Sequence, residues 1–235
     1  MIVGFIGLGN LGQKLASTLS RNGVNLIVND INETKAQELI KKGAVWAKTP
    51  QLVAEQSDQI ITCLPSPRIC ADVMESENGV IAGLTEGKIW IEMSTTSKFE
   101  VLRLNDKISE KGAVSSDCPV SGGCHKAASG NVSIFSGCER EVFERIKTTL
   151  FIMGKKILHT GDLGTASVLK VMTNYLATAN LISCCEALTT MKSAGLDLAT
   201  TFEAIKISSG NSFVHETESQ VILNGSRDIN FTMGL

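Results

Sequence analysis

Gly7, Gly9 and Gly12 fall in the hexapeptide Gly7-Leu8-Gly9-Asn10-Leu11-Gly12, between an apolar run (Ile2, Val3, Phe5, Ile6) and a helix-like stretch closed by Gly23. That order suits the phosphate turn of a dinucleotide site. Gly7 permits the tight turn, Gly9 lets the backbone approach a pyrophosphate, and Gly12 lets helix and strand pack closely. The helix N-terminus then offers unpaired N–H groups and a positive dipole end to the phosphates. Asp30 closes the next apolar segment, Leu26-Ile27-Val28. An acid there accepts hydrogen bonds from a ribose and repels a 2′-phosphate, and Ile31 supplies no compensating guanidinium, so NAD is expected rather than NADP. A bare glycine turn in a domain without a cofactor is the competing reading.

A second set of residues suits proton transfer. Lys170 and Asn174 stand four apart, hence on one face of a helix. Between the glycine turn and that helix comes Asp117-Cys118-Pro119-Val120-Ser121-Gly122-Gly123. A serine and two glycines at a strand end make a loop whose N–H groups can face a carboxylate, or an ordinary glycine turn. A lysine near the start of an apolar helix can protonate a carbonyl oxygen or take the proton back from an alcohol. Asn174 can orient that amine or bind a substrate oxygen.

The elements that must position these residues read as an α/β chain. The stretch from Gly164 to Gly195 is expected to be one helix. Val168, Met172, Tyr175, Ala179, Ile182, Leu188 and Met191 recur at three- and four-residue steps, as a buried stripe requires. Some 30 residues span about 45 Å at 1.5 Å each, long enough to join two domains. Ahead of it, strands are expected at 2–6, 26–30, 58–64, 88–93, 113–116, 131–136 and 156–159. Helices are expected after Gly12, over 31–43 and 51–57, near 69–75, and over 100–111 and 139–150. Leu64 and Pro65 follow one strand and serve either as walls for an adenosine or as a plain turn. Ser94, Thr95 and Thr96 follow another, able to touch a nicotinamide ribose or, through Ser94 or Thr96, to cap the next helix. The division is a dinucleotide-binding domain over 1–162 and a helical region over 163–235.

Composition narrows the partners. The 235 residues carry 22 Lys and Arg against 24 Asp and Glu, so charge favours neither a nucleic acid nor an acidic membrane. Seven cysteines without a CxxC pair read as reduced thiols in a cytoplasmic protein. No zinc-like ligand spacing surrounds Cys124 and His125, and no metal is expected. His125, His159 and His215 lack a partner pattern and receive no chemical role.

Taken in order, GFIGLGNLG, DCPVSGG and GTASVLKVMTN resemble the β-hydroxyacid dehydrogenase family, along the whole chain. The resemblance implies a doubly wound Rossmann-like domain followed by an all-α domain hinged on the long helix. It places the cofactor-binding residues at Gly7, Gly9, Asn10, Leu11, Gly12, Asp30, Leu64, Pro65 and Thr95. It places the substrate carboxylate on Ser121, Gly122 and Gly123, the catalytic lysine on Lys170 and its supporting asparagine on Asn174. The implied reaction is hydride transfer between NAD(H) and a small 3-hydroxy acid or its semialdehyde. Two departures stand out. Lys98 occupies a place where relatives carry proline, and relatives continue beyond Leu235, so the helical domain over 163–235 is expected to be incomplete. An apolar helical domain lacking part of itself must bury surface against something, so a homo-oligomer is expected. A catalytically inactive NAD-binding assembly protein of the same fold is the alternative.

Overall fold

The computed structural model describes residues 1–226. The chain divides into two compact units, Met1–Val171 and a second beginning at Met172.

In the first unit nine strands form one sheet: β1 (Ile2–Ile6), β2 (Asn25–Asn29), β3 (Val45–Trp46), β4 (Gln59–Thr62), β5 (Ile89–Glu92), β6 (Val114–Asp117), β7 (Val120–Ser121), β8 (Val132–Gly137) and β9 (Gly154–Gly161). The order is β3-β2-β1-β4-β5-β6-β8-β7, with β9 paired to β8. From β3 to β6 every pairing is parallel. At β8 the sheet turns antiparallel to β6 and β7, while β9 runs parallel to β8. Strand order therefore reverses between β1 and β4, where doubly wound sheets hold ligands at the carboxyl ends of their strands.

The central strands carry apolar residues on both faces, as sheets covered on both sides do. Val3, Phe5, Ile60, Ile61, Ile89, Trp90 and Ile91 are all buried. The covering helices of this unit are α1 (Gly12–Arg21), α2 (Gln37–Ile40), α3 (Pro50–Glu55), α4 (Pro67–Glu75), α5 (Val80–Gly83), α6 (Lys98–Ser109), α7 (Gly123–Ala128), α8 (Arg140–Met153) and the start of α9 (Thr165–Ser193). Side-chain oxygens cap several of them: Thr49 accepts from the Leu52 N–H, Ser66 from Ile69 and Ser97 from Glu100. With Ser97 and Glu100 spaced as a capping box, α6 starts at Lys98 without the rigid φ of a proline.

The second unit holds the rest of α9, then α10 (Leu198–Lys206), a turn of π-helix (His215–Ser219) and α11 (Gln220–Leu223). His215 is buried within it; its Nε2 lies 3.0 Å from the Phe202 carbonyl oxygen and its Nδ1 3.1 Å from Cys184 Sγ. Phe231 to Leu235, where the sequence ends, lie outside the described residues.

Several elements differ from expectation. The span 31–43 is not one helix: a 3-10 turn (Glu33–Ala36) leads into the short α2, and the two-residue strand β3 follows. The connection after α4 holds α5, and the glycines after Ser121 open α7. Finally, α9 forms as expected, but its proposed stripe is not a buried one. Val168, Met172, Tyr175, Ile182 and Met191 are exposed, and only Leu188 of the seven is buried. Leu169, Val171 and Leu176 are exposed as well. Apolar residues lie all round this helix, so a three-four spacing can be drawn on several faces and singles out none.

Candidate active site

The glycine turn sits where β1 gives way to α1. Gly7 has φ +94°, and a Cβ placed there would lie 2.4 Å from the Cys63 carbonyl oxygen. A Cβ on Gly12 would lie 2.0 Å from the Gly7 carbonyl oxygen. Both contacts are too short for any side chain, so glycine at these positions lets turn, helix and β4 close on one another. Gly9 is different: nothing lies within 4 Å of where its Cβ would be. Its backbone faces open space, as an approach to a pyrophosphate needs. Asn10 is exposed, and Leu11 is the N-cap of α1 with no side-chain oxygen to satisfy the helix's first N–H groups. A helix start without a side-chain cap can take an anion.

Asp30 follows β2. Its Oδ2 accepts the Leu8 N–H at 2.7 Å and its Oδ1 the Asn32 N–H at 2.8 Å, so the carboxylate is locked against the glycine turn. Lys35 Nζ lies 3.8 Å from Oδ1, and the Ile31 side chain is fully exposed beside it. Cradle, uncapped helix and locked acid fit the adenosine diphosphate half of a dinucleotide.

The turns after β4 and β5 are joined. The Leu64 N–H donates to Ser94 Oγ at 2.8 Å. Ser94 therefore ties two loops and caps nothing; the cap of α6 is Ser97, and the buried Thr96 hydroxyl has no partner. Pro65 is exposed, and Leu64 and Thr95 are half-buried. Below them lies a buried acid that the sequence reading passed over. Glu92 ends β5 and accepts the Ser94 N–H at 2.5 Å, the Thr62 hydroxyl at 2.6 Å and the Cys70 thiol at 3.0 Å. Burial pushes its carboxyl above the ordinary range. An acid ending an otherwise apolar strand was the available signal.

Ser121 pairs with Ser133 across β7 and β8, and the chain then turns through Gly122 (φ +121°) and Gly123 (φ +70°) straight into α7. No side chain caps α7 either. Two consecutive glycines with positive φ at an uncapped helix start make a turn of the kind that can take an anion.

Lys170 lies in the second turn of α9, half-buried, and desolvation holds its ammonium below the ordinary lysine range. Asn174 comes one turn later on the same helix and is exposed. His159 Nε2 meets the Cys138 carbonyl oxygen at 2.8 Å, its ring against Phe143. Among the described residues no group of three His, Cys, Asp or Glu could hold a metal ion, and all seven cysteines are free.

Comparison with known proteins decides what this arrangement belongs to. Residues 2–161 match the NAD binding domain of 6-phosphogluconate dehydrogenase, and residues 164–235 match the NAD-binding family of NADP-dependent 3-hydroxyisobutyrate dehydrogenase. The 2-(hydroxymethyl)glutarate dehydrogenase of Eubacterium barkeri is 35% identical over 234 residues, 99% of this chain and 78% of that protein. The chain belongs to the β-hydroxyacid dehydrogenase family. The mitochondrial 3-hydroxyisobutyrate dehydrogenase of Mus musculus is 33% identical over 219 residues, covering 93% of this chain. The chain spans 65% of that mouse relative's length. A solved structure, Psf3 in complex with NADP+ and 2-OPP, superposes with a TM-score of 0.88 at 27% identity, covering 96% of this chain and 80% of its own. Membership makes this a dehydrogenase chain with an NAD(P)-binding, Rossmann-like first domain and a helical region after it. No helix among the described residues is long and apolar enough to cross a membrane.

Proposed function

We propose that the protein moves a hydride between NAD(H) and a small 3-hydroxy acid/semialdehyde pair of the 3-hydroxyisobutyrate or 2-hydroxy-3-oxopropionate type. The observation that carries this reading is the half-buried Lys170, its ammonium held below its ordinary pKa at the start of α9, in a chain whose relatives are dehydrogenases. That kinship favours a working enzyme over an inactive assembly protein. The dinucleotide-binding part spans 1–162 and the helical substrate part begins at 163.

Each residue then has a task. Gly7, Gly9, Asn10, Leu11 and Gly12 hold the pyrophosphate, and Asp30 the adenosine ribose. Leu64, Pro65 and Thr95 flank the cofactor at the carboxyl ends of β4 and β5. Bound there, the nicotinamide supplies or accepts the hydride. Ser121, Gly122 and Gly123 hold the substrate carboxylate and so orient the carbonyl. Lys170 gives its proton to the carbonyl oxygen during reduction and recovers it from the hydroxyl during oxidation. Asn174 holds a substrate oxygen or the amine itself. An acid–base group of this kind contributes about 10²- to 10⁴-fold.

The reading is tested by NADH oxidation with a panel of small semialdehydes carrying a carboxylate. Turnover with at least one, lost in Lys170→Ala with NADH binding kept, supports it; full turnover in Lys170→Ala overturns it. For the cofactor, Asp30 locked beside the exposed Ile31 supports NAD over NADP. Asp30→Asn should narrow the NADH/NADPH ratio of kcat/KM by tenfold or more. An unchanged ratio would remove Asp30 as the discriminator. The reading also places the enzyme in the cytoplasm as a homo-oligomer, which fractionation and sedimentation would check.

A further inference from the structure

We propose that Asp117 is the positioning residue for Lys170: its buried carboxylate fixes the roll and depth of the first turns of α9, and so the place of the amine. This inference rests on the reading above, in which Lys170 is the acid–base group.

Asp117 ends β6 and is fully buried. Its two oxygens bind different points of the helix start. Oδ1 accepts the Gly164 N–H at 2.8 Å, and Oδ2 accepts both the Ser167 N–H at 2.6 Å and the Ser167 hydroxyl at 2.7 Å. A single bond would leave the helix free to roll about it. Two oxygens, holding positions three residues apart, do not. The carboxylate also takes up N–H groups that a helix start leaves without intrahelical partners, and it sits at the positive end of the dipole.

The socket around the carboxylate is closed. Asp117 faces Gly137 in the one pair that joins β6 to β8. A Cβ on Gly137 would lie 2.3 Å from Asp117 Oδ1, 2.9 Å from the Asp162 carbonyl oxygen and 3.0 Å from Thr165 Oγ1. The strand thus approaches the helix start as closely as glycine allows. Thr165 adds a second tie: its hydroxyl meets the Asp162 carbonyl oxygen at 2.6 Å and Thr160 Oγ1 at 2.7 Å.

From this anchor, two functional segments run in opposite directions. Ser167 and Lys170 are three residues apart, so the anchored serine and the amine share a face of the helix. On the other side of Asp117, Cys118 and Pro119 lead into β7 and the Ser121-Gly122-Gly123 turn. The strand end that holds the lysine's helix therefore lies only four residues before the loop assigned to the substrate carboxylate. Asparagine cannot replace Asp117. Its amide offers one acceptor oxygen and turns an NH₂ group toward an N–H donor.

The experiment compares the parent with Asp117→Asn and Ser167→Ala in the full chain. Three quantities are read: kcat, the KM for NADH, and the pH dependence of acetic anhydride labelling at Lys170, followed by mass spectrometry of its peptide. A misplaced amine lowers kcat by about 10²-fold in Asp117→Asn, since errors near 1 Å have that effect. Ser167→Ala keeps both backbone bonds and should fold, with kcat about three- to tenfold lower. In both, the KM for NADH stays within twofold and the Lys170 labelling curve moves toward that of an ordinary, hydrated lysine. An unmoved labelling curve in Asp117→Asn overturns the proposal, as does a loss of NADH affinity parallel to the loss of kcat, which marks a general structural role. Labelling does not depend on turnover, so the two ideas fail separately. Full activity in Lys170→Ala sinks the catalytic reading, whereas an unmoved labelling curve sinks the anchor.

Discussion

Thr62 donates its hydroxyl to Oε2 of Glu92 at 2.6 Å, joining the end of β4 to the end of β5 beneath the two loops assigned to the cofactor. Trp90 Nε1 donates to the same Thr62 oxygen at 2.8 Å, and the other Glu92 oxygen holds the Ser94 N–H. Glu92→Ala leaves the Ser94 N–H, the Thr62 hydroxyl and the Cys70 thiol without their acceptor in a dry interior. The expected loss is about 2–4 kcal/mol of stability, read by urea unfolding, with weaker NADH binding beside it.

Glu92→Gln checks the titration of the same group. Burial raises the folded-state pKa of Glu92 above its ordinary 4.5. A group of this sign contributes stability that is fully present below its ordinary value and is lost as pH rises through the raised one. The parent should thus gain on Glu92→Gln as pH falls toward 4.5, and lose that advantage toward neutrality. Unfolding curves across this range that stay parallel would contradict the assignment.

Gly12→Ala tests the close approach of turn and helix. Its methyl group would meet the Gly7 carbonyl oxygen at 2.0 Å, and that atom is backbone, so the turn itself must move. We expect about 1–3 kcal/mol of destabilisation and at least tenfold weaker NADH binding. Gly9→Ala is the control. It has open space, so its stability should match the parent while NADH affinity falls.

The depressed pKa of Lys170 predicts the pH dependence of turnover. Reduction needs the protonated amine, so its kcat/KM falls as pH rises through a limb lying below the ordinary 10.5 of lysine. Oxidation needs the neutral amine and rises through the same limb. Profiles in both directions that share no limb would contradict the role.

Glu75 reports acid stability away from the site. Arg103 holds it with two bonds, 2.8 and 2.5 Å, and Lys107 joins them, which lowers its carboxyl to about 2. A depressed acid contributes stability above its ordinary 4.5 that disappears as pH falls toward about 2. The network is partly in water, so Glu75→Gln should cost only about 0.5–1 kcal/mol at pH 7. By pH 2 the variant and the parent should unfold at the same urea concentration.

How much of this could be read from residues alone follows the range of the forces involved. The strands at Ile2–Ile6, Gln59–Thr62 and Ile89–Glu92 announce themselves as apolar runs, because strands buried on both faces keep adjacent residues apolar and here carry Gln59, Thr62 and Glu92 only at their ends. Gly7, Gly9 and Gly12 were legible because their spacing falls between an apolar run and a helix-like stretch, with Asp30 after the next strand. Val45–Trp46 was not, since two residues carry no period, and α7 was hidden by the glycines that open it. The face of α9 was misread because apolar residues surround it. Glu92 and Asp117 could be noticed as acids ending strands, but not the partners that give them their roles. Thr62, Cys70, Gly164 and Ser167 stand 22–50 residues from the acids they meet, and no local pattern encodes such a meeting.

The bare start of α1, capped by no side chain where α3, α4 and α6 each have one, carries a physiological consequence. The start of α1 draws nothing from side chains, and a nucleotide's phosphates would complete it. Any ligand that binds only the native state shifts the unfolding equilibrium in proportion to the logarithm of its concentration. A cell short of dinucleotide would hold this polypeptide in its most perishable form, and starvation for the coenzyme would shorten the enzyme's lifetime before it slowed the reaction.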